Sequence, residues 1–191
     1  MSSAAPKKKV NRAKARLERR AAEMEAQRQE AAAEAANMPD LKARESQQMN
    51  NKLESMGLVE HNINADGHCL YSAFAHQLAR LELSDETYKS LRTKAAEYMR
   101  RHPEDFIPFL SGQDLDEVSL EAYTNELENT PRWGGEMEII ALAREFSVAV
   151  TIIQPQGNLL KFEETNSKGI MMTRYEHMYS LGAHFNSVNS K

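Results

Sequence analysis

The chain has one cysteine, Cys69, within the fragment Asp66-Gly67-His68-Cys69-Leu70-Tyr71. Behind it, Leu70, Phe74, Leu78 and Leu81 recur at helical spacing. The cysteine therefore stands at a helix start, directly after a glycine turn. N–H groups there lack intrahelical partners, and the helix dipole favours negative charge. A thiol in that place is expected to have a lowered pKa and to react as thiolate. The N–H groups of Gly67, His68 and Cys69 are candidates to hold the oxyanion that forms when a carbonyl is attacked. Gly67 lets a substrate backbone come close. The competing reading is a buried structural cysteine, since free cysteine is among the most interior residue types.

A thiol nucleophile needs a base, ordinarily a histidine oriented by a third group. Six histidines are present. His61 and His102 fall in polar surface positions. His68 adjoins the cysteine on a turn, and His76 is two helical turns away. His177 lies in a loop-like stretch. His184 differs, because Leu181-Gly182-Ala183-His184-Phe185-Asn186-Ser187-Val188 delivers it from a glycine turn to the start of an alternating strand. Two residues compete to orient its ring. Asp66 lies three before Cys69, and Asn186 shares a strand face with His184. A carboxylate would also stabilise an imidazolium, which favours Asp66.

These residues must be carried by a compact domain. Residues 41–56 read as a helix stopped by Gly57, and residues 58–63 as a short extended segment. Helices are expected over 69–81, 85–101, 119–127 and 136–146, with Leu91, Ala95, Tyr98 and Met99 inward on the second. His102-Pro103 ends that helix. Residues 147–153, dense in β-branched side chains, form the best strand, and 159–163 return as a hairpin. Further strands are expected over 169–173 and 185–188. Helices lead and strands follow, an α+β pattern.

Residues 1–54 are of another kind. Residues 11–36 are rich in Ala, Glu, Arg and Gln, with no Gly or Pro, and read as an exposed helical arm. Residues 1–55 hold 12 Lys+Arg against 8 Asp+Glu, and the remainder 12 against 20. A basic arm thus precedes an acidic domain over 55–191. The arm suits a polyanion such as RNA, by phosphate contacts without base stacking. The body suits a basic partner. No apolar run is long enough for a bilayer, and the basic start is unlike a secretory signal. One cysteine permits no internal disulfide and fits the reducing cytoplasm. No metal or cofactor is expected, because paired-cysteine and His-Glu-x-x-His spacings are absent from the sequence.

Three fragments carry a resemblance: residues 66–71, Trp133-Gly134-Gly135-Glu136-Met137-Glu138, and Gly182-Ala183-His184-Phe185-Asn186-Ser187-Val188. In order and separation they resemble the ovarian tumour (OTU) family of deubiquitinases, closest to its OTU domain-containing protein 6 subgroup. The resemblance covers about residues 55–189. It implies a papain-like cysteine protease domain, a small sheet flanked by helices. It also implies Cys69 as nucleophile, His184 as base and Asp66 as triad acid, with Asn186 the orienting residue in some members. Phe185 stands where relatives often carry tyrosine. The implied reaction cleaves the isopeptide bond between the ubiquitin C-terminus and a lysine. The subgroup further implies a role on the small ribosomal subunit. The alternative is an adaptor that docks on ribosome or RNA and binds ubiquitin with little or no cleavage. Trp133 reads as a packing anchor, with Gly134 and Gly135 allowing a tight entry into the next helix.

Overall fold

The computed structural model describes residues 19, 25, 26, 29, 33, 40–110, 119–179 and 182–191. Most of the expected basic arm, and with it the helix over 11–36, lies outside the described residues. The chain divides into two compact units, Met1–Leu41 and Lys42–Lys191. Helix α1 (40–55) runs into the larger unit and ends at Gly57, whose φ of +68° suits a residue without a side chain. Met49 and Leu53 of α1 are buried with Leu58, Ile153, Tyr175 and Val188. Residues 42–54 thus pack with the domain, and the contact boundary falls ahead of the expected division at 54/55. The reason is local: these two side chains have apolar partners to cover.

Strand β1 (Leu58–His61) leads to α2 (Cys69–Arg80), α3 (Tyr88–Arg101), α4 (Pro103–Leu110), α5 (Leu120–Asn129) and α6 (Glu136–Glu145). Strands β2 (Ala149–Ile153), β3 (Leu160–Phe162), β4 (Gly169–Tyr175) and β5 (His184–Ser190) follow. Helix α4 was not expected. Pro103 ends the expected α3, yet proline also suits a first helical position, and Glu104 and Asp105 favour the first turn. Thr87 caps α3 by accepting from the Ser90 N–H, so that helix starts later than its apolar pattern alone indicated.

The sheet runs β1-β5-β4-β2-β3. All neighbours are antiparallel except β2 and β4. Alternation along each strand feeds two cores. Ile152, Met172 and Phe185 face α2, α3 and α6, where Phe74, Leu91, Met99 and Leu142 are fully buried. Ile153, Tyr175 and Val188 face the other way, beneath Met49 and Leu53 of α1. Each large side chain removed from water stabilises the fold by about 1.5–3 kcal/mol. The result is a small mixed sheet flanked by helices. It brings the start of α2 and the start of β5 to one end of the sheet.

Candidate active site

Cys69 is the first residue of α2 and is 6% exposed. Its helix lacks a side-chain cap, so the amides of the first turn remain directed at whatever lies there. The Phe185, Leu70 and Cys69 N–H groups all favour the thiolate. Burial nevertheless outweighs them and pushes the thiol above its usual value, with the Asp66 charge adding to the rise. The expected lowering is therefore not found. Desolvation disfavours the anion more than the helix start favours it. The Phe185 contact is informative in itself, since it sets the sulfur beside the residue that follows His184.

His184 opens β5 and is 2% exposed. Its Nε2 lies 2.9 Å from Asn186 Oδ1. That same oxygen accepts the Ile63 N–H at 2.7 Å. A backbone N–H can only donate, so the atom is the amide oxygen, and Nε2 must carry the ring proton. Nδ1 is left as the basic nitrogen. Asn186 Nδ2 in turn donates to the Tyr179 hydroxyl at 3.1 Å, and the Tyr179 ring lies 3.8 Å from the imidazole. Burial lowers the His184 pKa; the Asn186 hydrogen bond, Glu60, the Ile63 backbone and Asp66 oppose it. Burial thus disfavours the charged form of both the thiol and the imidazole.

The two candidates for orienting the ring are thus placed differently. Asn186 holds Nε2. Asp66 turns into its own loop, where Oδ1 accepts the His68 N–H at 2.7 Å, and it reaches Cys69 and His184 through its charge. Among the expected oxyanion donors, the His68 N–H is engaged by Asp66. The Cys69 N–H makes a long 3.4 Å bond to the Asp66 carbonyl.

A groove of about 120 Å³ opens over Cys69, walled by Trp133, Gly134, Gly135, Ala183 and Phe185. Trp133 is 42% exposed and lies against Gly182, where an added Cβ would come within 2.6 Å of the indole. It is less an interior anchor than a wall. Gly182 has φ +106°, a conformation other residues rarely adopt. Gly67 is equally hemmed, with a Cβ there meeting the Pro131 carbonyl. Gly67 thus allows close approach of backbone to backbone, and Gly182 close approach of the Trp133 ring.

Three supporting residues were not foreseen. Arg92 of α3 is 2% exposed and donates to the carbonyls of Gly67 at 2.5 Å, Arg132 at 2.7 Å and Leu127 at 2.8 Å. Its Nε also reaches His68 Nδ1 at 3.1 Å. One guanidinium thereby joins the loop before Cys69 to the loop before Trp133. The signal was present, for Arg92 adjoins Leu91 and lies one turn before Ala96 on the inward face. Glu138 accepts the Gly135 N–H at 2.5 Å and the Tyr123 hydroxyl at 2.6 Å, fixing the entry to α6. Tyr179 covers His184, and nothing in its local sequence marks it. Among the described residues, His102, Glu104 and Asp105 alone group like metal ligands. They lie at the α3–α4 junction, where Asp105 already pairs with Arg144. No helix among the described residues is long and apolar enough to cross a membrane.

This geometry can be set beside known proteins. Residues 64–185 match the family model of the OTU-like cysteine proteases. The chain is 39% identical over 187 residues to the ubiquitin thioesterase otu2 of Schizosaccharomyces pombe, covering 96% of this chain and 62% of that protein. It is 37% identical over 184 residues to the deubiquitinase OTUD6B of Xenopus tropicalis, covering 93% and 62% respectively. The chain therefore spans less than two thirds of the length of these relatives. In fold it is similar to the OTU domain of OTUD1, with a TM-score of 0.64 over 78% of this chain and 97% of that one, at 18% identity. The chain belongs to the OTU-like cysteine protease family, within the OTU domain-containing protein 6 subgroup.

Proposed function

We propose that the chain is a deubiquitinase that hydrolyses the isopeptide bond between the ubiquitin C-terminus and a lysine. The observation that carries this reading is the relay behind the histidine. The Ile63 N–H and the His184 Nε2–H share Asn186 Oδ1, which leaves Nδ1 free to take a proton. Cys69 Sγ passes its proton to Nδ1 as the sulfur attacks the terminal glycine carbonyl. The oxyanion is held by the Cys69 N–H and by the Gly67 and His68 N–H groups as the loop adjusts. His184 returns the proton to the leaving lysine nitrogen. A thioester remains on Cys69, and water, activated by the same Nδ1, releases the carboxylate and the free thiol. Asn186 keeps the ring in its productive tautomer, while Asp66 shapes the loop and contributes charge. The glycine-flanked groove suits a substrate that ends in two glycines, since such a tail has no side chains to admit. The relatives named for ubiquitin chemistry support the same choice of substrate.

A ubiquitin–lysine isopeptide substrate tests the proposal. Wild-type chain is expected to release ubiquitin, and Cys69→Ala and His184→Ala are expected to release none. Retained hydrolysis in either variant removes the assignment.

The basic segment over residues 1–20 supports docking on a polyanionic surface in the cytoplasm, the small ribosomal subunit being the proposed one. It holds eight basic side chains against Glu18 alone. Binding to ribosomal subunits should weaken steeply with salt and disappear when residues 1–39 are removed. Salt-independent binding would reject that role. Binding without hydrolysis would favour the adaptor reading.

A further inference from the structure

Helix α1 lies ahead of the family-matched segment, and its packing alone would make it a cover for the sheet. One of its residues does something more specific. Glu45 is only 7% exposed. Its Oε1 accepts the Glu176 N–H at 2.7 Å, and its Oε2 accepts the His177 and Met178 N–H groups at 2.9 and 2.6 Å. Three successive amides that converge on one carboxylate form an anion nest. Burying a carboxylate is costly, and charge-assisted bonds of this kind are what offset it. The three amides belong to the residues immediately after β4, and the next residue is Tyr179.

We propose that Glu45 is a positioning residue for the catalytic histidine, acting through Tyr179. The path is continuous. Glu45 fixes the backbone of residues 176–178. That backbone places the Tyr179 ring against His184 and its hydroxyl on Asn186 Nδ2. Asn186, its oxygen fixed by the Ile63 N–H, keeps that oxygen on His184 and its amide nitrogen on the Tyr179 hydroxyl. Release of Glu45 frees Tyr179, uncovers the imidazole and removes one of the two restraints on the Asn186 amide. The Gly182 N–H also donates to the Tyr179 carbonyl at 3.2 Å, so Tyr179 is approached from both sides and Glu45 fixes the residues that precede it. The charged groups that act on the imidazole are Glu60 from β1 and Asp66 from the preceding loop, and the Tyr179 ring lies against it. The inference rests on the hydrolase reading for its effect on turnover, and on geometry alone for its effect on the ring.

The test uses the full chain as wild type, Glu45→Ala, Glu45→Gln, Tyr179→Phe and Met49→Ala. Hydrolysis of a ubiquitin C-terminal amide and melting temperature are measured for each. Glu45→Ala is expected to lower kcat about 10- to 100-fold with KM within about twofold, because α1 does not line the groove. Glu45→Gln, which keeps one acceptor oxygen, should fall between, and Tyr179→Phe should follow the same direction. Met49→Ala loosens the same helix by packing and should lower the melting temperature while preserving kcat well below it. If Glu45→Ala unfolds, the glutamine and Tyr179→Phe variants carry the comparison. In parallel, imidazole ¹⁵N shifts read the ring directly. An Nε2–H tautomer is expected in wild type, with ring shifts displaced from the wild-type values in Glu45→Ala as Tyr179 moves off the imidazole. Unchanged kcat in the Glu45 variants, an equal loss in Met49→Ala, or identical ring shifts in all would overturn the proposal. A ring that changes in a chain without hydrolytic activity would keep the positioning role and remove the protease reading instead.

Discussion

The two sides of the groove are built from different materials. On the nucleophile side, Cys69 sits at the junction of a turn and a helix, and the loops around it are gathered by Arg92 through backbone carbonyls. On the base side, His184 sits in a sheet strand, and side-chain amide, phenol and carboxylate groups fix it in succession. A loop held by one cation can shift as a unit when substrate arrives. A ring held by a strand neighbour cannot. On the proposed mechanism, the contrast places adjustment in the loop before Cys69, where the His68 N–H is occupied by Asp66, and rigidity at His184.

Mutations at the two sides separate these properties. The largest expected effect is Asn186→Ala, which leaves the Ile63 N–H and the His184 Nε2–H without their acceptor. It should lower kcat/KM by roughly 100-fold or more at unchanged fold. Asp66→Ala should cost only about 10-fold, since its loss relaxes a loop and removes a distant charge. Equal losses, measured on the same ubiquitin substrate, would erase the distinction.

Arg92→Ala comes next, and its effect belongs to stability. It removes a buried cation with four acceptors, which would be left largely unpaired, at a cost of about 3–5 kcal/mol in urea unfolding. Arg92→Lys should recover only part of this, because an ammonium cannot span the fork. Gly182→Ala meets both the Trp133 indole and an unfavourable φ. A rise in KM of about 10-fold is expected, with the melting temperature moving by a few degrees. Unaltered KM would show that Trp133 does not shape substrate entry.

The smallest effect concerns pH. His184 must be neutral to accept the thiol proton, and burial keeps its pKa below the usual 6.5. Activity should therefore persist below pH 6.5 and be lost as acid charges the ring. Glu60 raises the His184 pKa, so Glu60→Gln should lower it further and move the acidic limb of kcat/KM to lower pH. Movement of the limb to higher pH would contradict the sign.

Much of this arrangement was legible from residue type and period. The strand dense in β-branched residues before Pro155, the helix after Cys69 and the glycine turn before His184 all stand where the local pattern puts them. Helix α4 was hidden because Pro103 serves equally as a stop and a start. Sequence spacing leaves both Asp66 and Asn186 open, whereas in the structure Asn186 Oδ1 lies on the His184 ring and Asp66 Oδ1 on the His68 N–H. The raised pKa of Cys69 is hidden from sequence for a similar reason. A helix start can be read from sequence, whereas the degree of burial there depends on chain more than a hundred residues away. Arg92 and Glu45 act over long sequence separations on backbone atoms, which leave no mark on residue identity.

The most direct measurement is the labelling of the full chain by ubiquitin carrying an electrophile at its C-terminus, with the modified residue located by peptide mass. A single adduct on Cys69 is expected, lost in Cys69→Ala and slowed roughly 100-fold in Asn186→Ala. No adduct in wild type, or an adduct that forms as readily without Asn186, would contradict a thiol served by a strand-held imidazole.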